Sequence, residues 1–253
     1  MTSRMRHRLS STCKKVLCRT GFALYKNKPI TAWPRWMSTP CAIKLPNAKQ
    51  RRAPSPKGGS NFSIMLALLE KTRDVDGDVA ECGVWQGESI VPIAYHVKQS
   101  GKNKTVFGLD SFEGFDDTIA LDLKLGGAED EQKKIGGFND TSLDKVKEKV
   151  ERFGVDSHTR LIKGYFQKTL SQIEDRCFSF VHLDCDIYES YKVCLEFFYP
   201  RMSPNGVILL DEYNDPTWPG CNKAIDEFLS DKPEACELIE RETFIKYYIQ
   251  KQP

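Results

Sequence analysis

From Asn61 onward the chain alternates two hydrophobic patterns. Short apolar runs, DVAECG at 78–83, KTVFGLD at 104–110, TRLIK at 159–163, CFSFVHLD at 177–184 and GVILLD at 206–211, predict strands buried on both faces. Between them, apolar residues recurring every three or four positions near 88–99, 142–153, 189–199 and 220–229 predict helices. An opening helix is predicted from Phe62, Met65, Leu66, Leu68 and Leu69, stopped at Asp76-Gly77-Asp78. Strands alternating with helices imply an α/β fold, a parallel sheet covered on both faces. Two more strand-like runs, CELIER and FIKYYIQK, follow the last helix. Only a few residues separate them, so they must pair antiparallel. The segment 116–141, charged and carrying four glycines, breaks the alternation. It reads either as a cover above a crevice or as a solvated surface loop.

Charge divides the chain. Residues 1–69 hold 14 Lys and Arg and no acid, whereas residues 70–253 hold 23 Lys and Arg against 35 Asp and Glu. An acid-free, Ser-, Thr- and Arg-rich N-terminus has the composition of a mitochondrial transit peptide, and equally that of a solvated basic arm. The stretch 40–60 is Pro-, Gly- and Ser-rich and reads as a linker. The expected organisation is therefore a basic extension over 1–60 and one folded domain over 61–253, in the cytoplasm or mitochondrion and not secreted. No apolar run is long enough for a membrane span, and the folded part carries no basic excess that would call for nucleic acid. The nine cysteines include no Cys-x-x-Cys pair, which argues against zinc and for a reducing compartment. A homo-oligomer is compatible with the sequence. His182, inside a strand pattern, reads as structural.

Two acidic clusters, Asp184-Cys185-Asp186 and Asp211-Glu212, stand where buried strands run out. Open α/β sheets place their ligand crevice at such ends. If the two strands are neighbours, their ends lie about 5 Å apart, and three carboxylate oxygens can converge on a hard divalent cation such as Mg2+. Each cluster alone also reads as a helix cap or the start of a solvated loop. The first strand ends in Glu81-Cys-Gly83-Val-Trp-Gln-Gly87-Glu-Ser89, a glycine-containing turn without the spacing that cradles a pyrophosphate. It offers an acid, and glycines that let a ligand approach the backbone. The second strand ends in Asp110-Ser111-Phe112, placed where an acid accepts hydrogen bonds from ribose hydroxyls. An amino-acid head with a ribose and no phosphate describes S-adenosylmethionine.

Taken in order, ECGVWQGES, LDSFEGF, GYFQKTL, LDCDIYES, SPNGVILLDEY and WPGCNKAIDEF resemble the macrocin O-methyltransferase family. The resemblance covers about residues 61–250. It implies the Rossmann-like class I methyltransferase fold, a mostly parallel seven-stranded sheet with one antiparallel strand. It also implies S-adenosylmethionine and Mg2+ as cofactors and a hydroxylated small molecule, a sugar or other natural product, as acceptor. Carried over residue by residue, it puts the cofactor on Glu81, Gly83, Gly87, Ser89, Asp110, Ser111 and Phe112, the metal on Asp184, Asp211 and Glu212, and the general base on Asp186. The chain departs from the family in reading Asp211-Glu212 where Asp-Asp is usual, and in placing Cys185 between the two aspartates.

A sugar hydroxyl is a weak nucleophile at neutral pH, so a cation that acidifies it and a carboxylate that takes its proton meet the need of the reaction. Residues 184 and 186 share a side if the strand persists through them. Chelation favours two adjacent oxygens, a vicinal diol or, alternatively, a catechol. A third reading is a catalytically silent binding protein with a basic arm. Tyr188, Tyr213 and Trp218 read as pocket lining or plain packing.

Overall fold

The computed structural model describes residues 61–116, 120–125, 138–241 and 244–253. Most of the 116–141 segment and the whole basic extension, with its expected transit peptide or arm, lie outside the described residues. The chain divides into two units, Ile64–Glu240 with Ile245–Pro253, and Met1–Ser63 with Arg241–Phe244. The first carries the sheet and the site.

The elements in chain order are α1 (Asn61–Lys71), β1 (Asp78–Cys82), α2 (Ile90–Ser100), β2 (Val106–Asp110), α3 (Ala120–Lys124), α4 (Leu143–Arg152), β3 (Thr159–Lys163), α5 (Phe166–Thr169), β4 (Phe178–Leu183), α6 (Tyr188–Phe198), β5 (Met202–Leu210), α7 (Pro219–Leu229), β6 (Glu237–Arg241) and β7 (Phe244–Gln250). Every strand and long helix expected from the pattern is present, with ends shifted by a few residues. β5 starts earlier, at Met202, which pairs with Phe178; the register then shifts, with Asn205 left-handed at φ 65°, before Val207 pairs with Phe180. The short helices α3 and α5 have too few turns to show periodicity in the sequence.

The seven strands run β3-β2-β1-β4-β5-β7-β6. β1 pairs parallel with β2 and with β4, β2 with β3, and β4 with β5, while β7 runs antiparallel to β5. This is the class I methyltransferase topology. β1 and β4 are buried at every position, which is why they read as unbroken apolar runs. The chain winds outward from β1 to β3, then restarts at β4 on the other side of β1. The reversal opens a crevice beyond the carboxyl ends of β1 and β4.

Phe178, Phe198, Tyr191, Leu183 and Ile187 are all at most 2% exposed and fasten α6 to β4. The Phe178 ring meets Phe198 and Phe107 edge-on at 4.9 and 6.2 Å. Each such side chain contributes roughly 1.5–3 kcal/mol by burial, so the loop joining β4 to α6 hangs from a rigid base. Among the described residues, no helix is long and apolar enough to cross a membrane.

Candidate active site

β4 and β5 are neighbours, and their last residues, Leu183 and Leu210, lie opposite each other. The ladder continues one residue further: Asp184 N–H donates to the Cys82 carbonyl and Asp211 N–H to the Leu183 carbonyl, both at 2.9 Å. The two acidic clusters are thereby brought together. Asp186 reaches the same place by a route other than the one expected. The strand does not persist through it; the backbone turns at Asp186 into the left-handed region, at φ 63°. That conformation costs a non-glycine residue on the order of 1 kcal/mol and gathers at functional sites.

The turn gathers Asp184, Asp186 and Glu212, one carboxylate oxygen from each lying within 4.8 Å of the others. Asp211 stands outside this group. Its carboxylate is 2.7 Å from Lys246 Nζ and 3.6 Å from His182 Nε2. Burial opposes ionisation there, but Lys246 and His182 outweigh it and hold the Asp211 carboxyl well below its usual range. The reason lies in the sheet: Leu210 pairs with Tyr247 on the antiparallel strand, so the next residue of β5 meets Lys246.

Glu212 behaves oppositely. Burial, reinforced by crowding from Asp184, Asp186 and Asp211, pushes its carboxyl well above the usual value. Its extra methylene takes one oxygen to the Tyr191 hydroxyl at 2.7 Å, and the same hydroxyl lies 2.9 Å from the Leu183 carbonyl. Tyr191 escaped the sequence reading because it falls at a core position of α6. Cys185, between the two aspartates, is buried and packs in the core.

In the first turn, Glu81 is fully buried and faces His182 across the β1–β4 pair, Oε1 to Nδ1 at 2.9 Å. Its other oxygen, Oε2, has no hydrogen-bond partner among the described residues. Burial raises the Glu81 carboxyl, with His182 and Ser89 pulling the other way. Burial disfavours protonation of His182, yet Asp211 and Glu81 together raise it to about 10. His182 is thus a buried link between two carboxylates.

Gly83 sits at φ 92°, and a Cβ there would fall 1.7 Å from the Asp184 carbonyl oxygen. Glycine is required because the turn lies against the acid rim. Gly87, at φ 75°, packs against Val146, and Ser89 is the N-cap of α2. Asp110 accepts from Trp85 N–H at 2.7 Å and Phe112 N–H at 2.6 Å, tying the first turn to the second. Ser111 closes its own turn onto the Gly114 carbonyl, and Phe112 is buried.

Sequence reasoning missed the wall around this crevice. Trp85 Nε1 donates to Asp140 and Thr141 Oγ1 to the Trp85 carbonyl. The Phe138 ring lies 5.6 Å from Trp85 and 5.4 Å from Phe115, which in turn is 5.9 Å from Trp218. These four aromatics come from four separate loops, so no local spacing announces them. Of the three aromatics considered from sequence, Trp218 belongs to this wall. The hydroxyls of Tyr188 and Tyr213 are turned to Glu227 and Asp226 on α7.

An acid rim and a glycine turn at the switch point of a 3-2-1-4-5-7-6 sheet define a class I methyltransferase fold. The macrocin-O-methyltransferase (TylF) family profile matches residues 64–248, and the chain belongs to that family. It is 32% identical over 141 residues to the 8-demethyl-8-(2,3-dimethoxy-alpha-L-rhamnosyl)-tetracenomycin-C 4'-O-methyltransferase of Streptomyces olivaceus, covering 55% of this chain and 54% of that one. It is 29% identical over 181 residues to the mycinamicin III 3''-O-methyltransferase of Micromonospora griseorubida, covering 66% and 65%. The chain thus spans between about half and two thirds of the length of these relatives. Among solved structures, the O-methyltransferase NovP superimposes with a TM-score of 0.68 at 22% identity, over 96% of this chain and 100% of that one.

Proposed function

We propose that this protein transfers a methyl group from S-adenosylmethionine to a hydroxyl of a sugar or other vicinal diol, assisted by a divalent cation such as Mg2+. The observation that carries the proposal is the convergence of Asp184, Asp186 and Glu212 beside the Glu81–Ser89 turn. Family membership supports the chemistry, and two relatives named for methylating natural products, one of them on a rhamnosyl group, support the acceptor class.

The donor fits the first turn. The unpaired, buried Glu81 Oε2 suits an ammonium, and Asp110, its carboxylate oriented by the Trp85 and Phe112 N–H groups, stands where ribose hydroxyls would lie. An all-carboxylate donor set fits a hard cation, and Glu212, raised by burial and then by its neighbouring carboxylates, is a group whose charged form a cation would favour. Asp184 and Glu212 would hold it. When bound, it would acidify the acceptor hydroxyl. Asp211 as a further ligand, the family's assignment, requires release from Lys246.

Asp186, in the same group, takes the hydroxyl proton. The oxygen lone pair then forms the new C–O bond from about 3 Å, the C–S bond breaks, and the sulfur keeps the electron pair as a neutral thioether. Trp85, Phe115, Phe138 and Trp218 shield the reaction from water. The aromatic wall, offering ring edges and faces, also favours a second acceptor class, a catechol or other phenolic diol.

Calorimetric titration with S-adenosylhomocysteine, followed by a diol panel with radiolabelled methyl donor, tests the reading. Binding heat and label on a sugar diol are expected. Absence of heat at millimolar ligand would remove the methyl-transfer reading, and label confined to catechols would transfer it to the second acceptor class.

A further inference from the structure

Helices α6 and α7 both begin without a capping side chain. Their N-cap residues, Ile187 and Trp218, make no side-chain cap hydrogen bond. The first leads directly out of the acid rim and the second out of the aromatic wall. The carboxylate of Asp122 on the short helix α3 lies at both starts. Its Oδ2 and Oδ1 are 3.2 and 3.3 Å from the Tyr188 backbone nitrogen. Its Oδ1 also occupies the space where a side chain at position 220 would begin: a Cβ on Gly220 would fall 1.8 Å from it. Asp122 is completely buried.

A buried carboxylate on a five-residue helix is unusual unless something is gained by seating it. Here it supplies the acceptor that the first turn of α6 lacks, two residues after Asp186. Gly220 has no positive φ to explain it; its lack of a side chain is what admits the carboxylate. We propose that Asp122 is a positioning residue, seated in a socket left open by Gly220, through which α3 holds the acid loop and the start of α7 in one fixed arrangement over the crevice. The interaction is steric and hydrogen-bonded. It does not depend on the charge of Asp122, which faces Glu189 on α6 as an unfavourable neighbour.

The test is a cycle of Asp122→Ala, Gly220→Ala and the double variant, read by hydrogen exchange, with Asp122→Asn as the conservative control. Exchange at the Tyr188 amide and in α3 should speed up about five- to tenfold in either single variant, as expected for losing one helix cap. Gly220→Ala should add nothing once Asp122 is already Ala, because its clash is gone. Asp122→Asn keeps an acceptor oxygen and should restore both protection and kcat, whereas Asp122→Ala should lower kcat with little change in donor KM. Equal damage from Gly220→Ala in both backgrounds would overturn the socket. Unchanged Tyr188 exchange in Asp122→Ala, or failure of Asn to restore kcat, would overturn the positioning role. If Asp122→Ala does not fold, Gly220→Ala alone still displaces the carboxylate and reports on the same amide. The exchange arm needs no substrate, so failure of the socket and failure of the methyl-transfer reading are told apart.

Discussion

The two edges of the central sheet carry the same kinds of residue and treat them in opposite ways. At the starting edge of β1, β2 and β4, acids meet bases: Asp78 takes Arg176 and the Thr105 N–H, Asp74 takes Lys102, and Lys104 fills the carbonyls of Thr72 and Val75. A cavity of about 380 Å3 lies there, lined by these matched charges. At the finishing edge Asp211 keeps Lys246 and His182, but Asp184, Asp186 and Glu212 share one small space. Paired charges contribute modest stability and do little else. Crowded like charges store unfavourable energy that a ligand can release.

Breaking the finishing edge should show most in turnover. Asp184→Asn or Asp186→Asn is expected to lower kcat by roughly a thousandfold, while the melting temperature stays level or rises as repulsion falls. Loss of the fold in both would make the cluster structural and end the contrast. At the starting edge the signs reverse. Asp78→Ala should cost about 2 kcal/mol in denaturant titration, discounted from the figure for fully buried pairs because Arg176 is 42% exposed, with activity per folded molecule unchanged.

Cation binding sharpens the comparison further. Mg2+ at about ten times its dissociation constant should stabilise the protein by about 1.4 kcal/mol. That gain should vanish in Glu212→Gln and persist in Asp211→Asn; the reverse pattern would place the cation on Asp211. The smallest effect concerns a paired acid near the start of β5. Burial opposes ionisation of Glu234, but Tyr199, the Gln252 N–H and Lys251 hold its carboxyl at about 2, below the ordinary 4.5. A lowered folded value means stability that is present above pH 4.5 and lost as pH falls towards 2. Wild type should therefore exceed Glu234→Gln by about 1 kcal/mol at pH 7, with the gap closing in acid.

The sheet was legible because β1, β2, β4 and the second half of β5 are so fully buried that pattern alone betrays them. The acid rim was legible because strand ends are fixed by those same runs. What escaped depends on three-dimensional return. The partner of Asp211 comes from β7, the partner of Glu212 is a core tyrosine of α6, and Asp186 arrives by a left-handed turn where continued strand was expected. Asp110 and Ser111 were read for a ligand, and the structure shows them also building the turns that would hold one.

Lys246 is carried by the last strand in chain order, which slots between β5 and β6. Until that strand docks, Asp211 joins the other carboxylates at the crevice without its ammonium. Closure of the sheet and tuning of the crevice are therefore a single event: a partly zipped molecule cannot acquire a finished electrostatic landscape, and undocking of the antiparallel strand would strip Asp211 of its ammonium and uncover Ile249 of the core together.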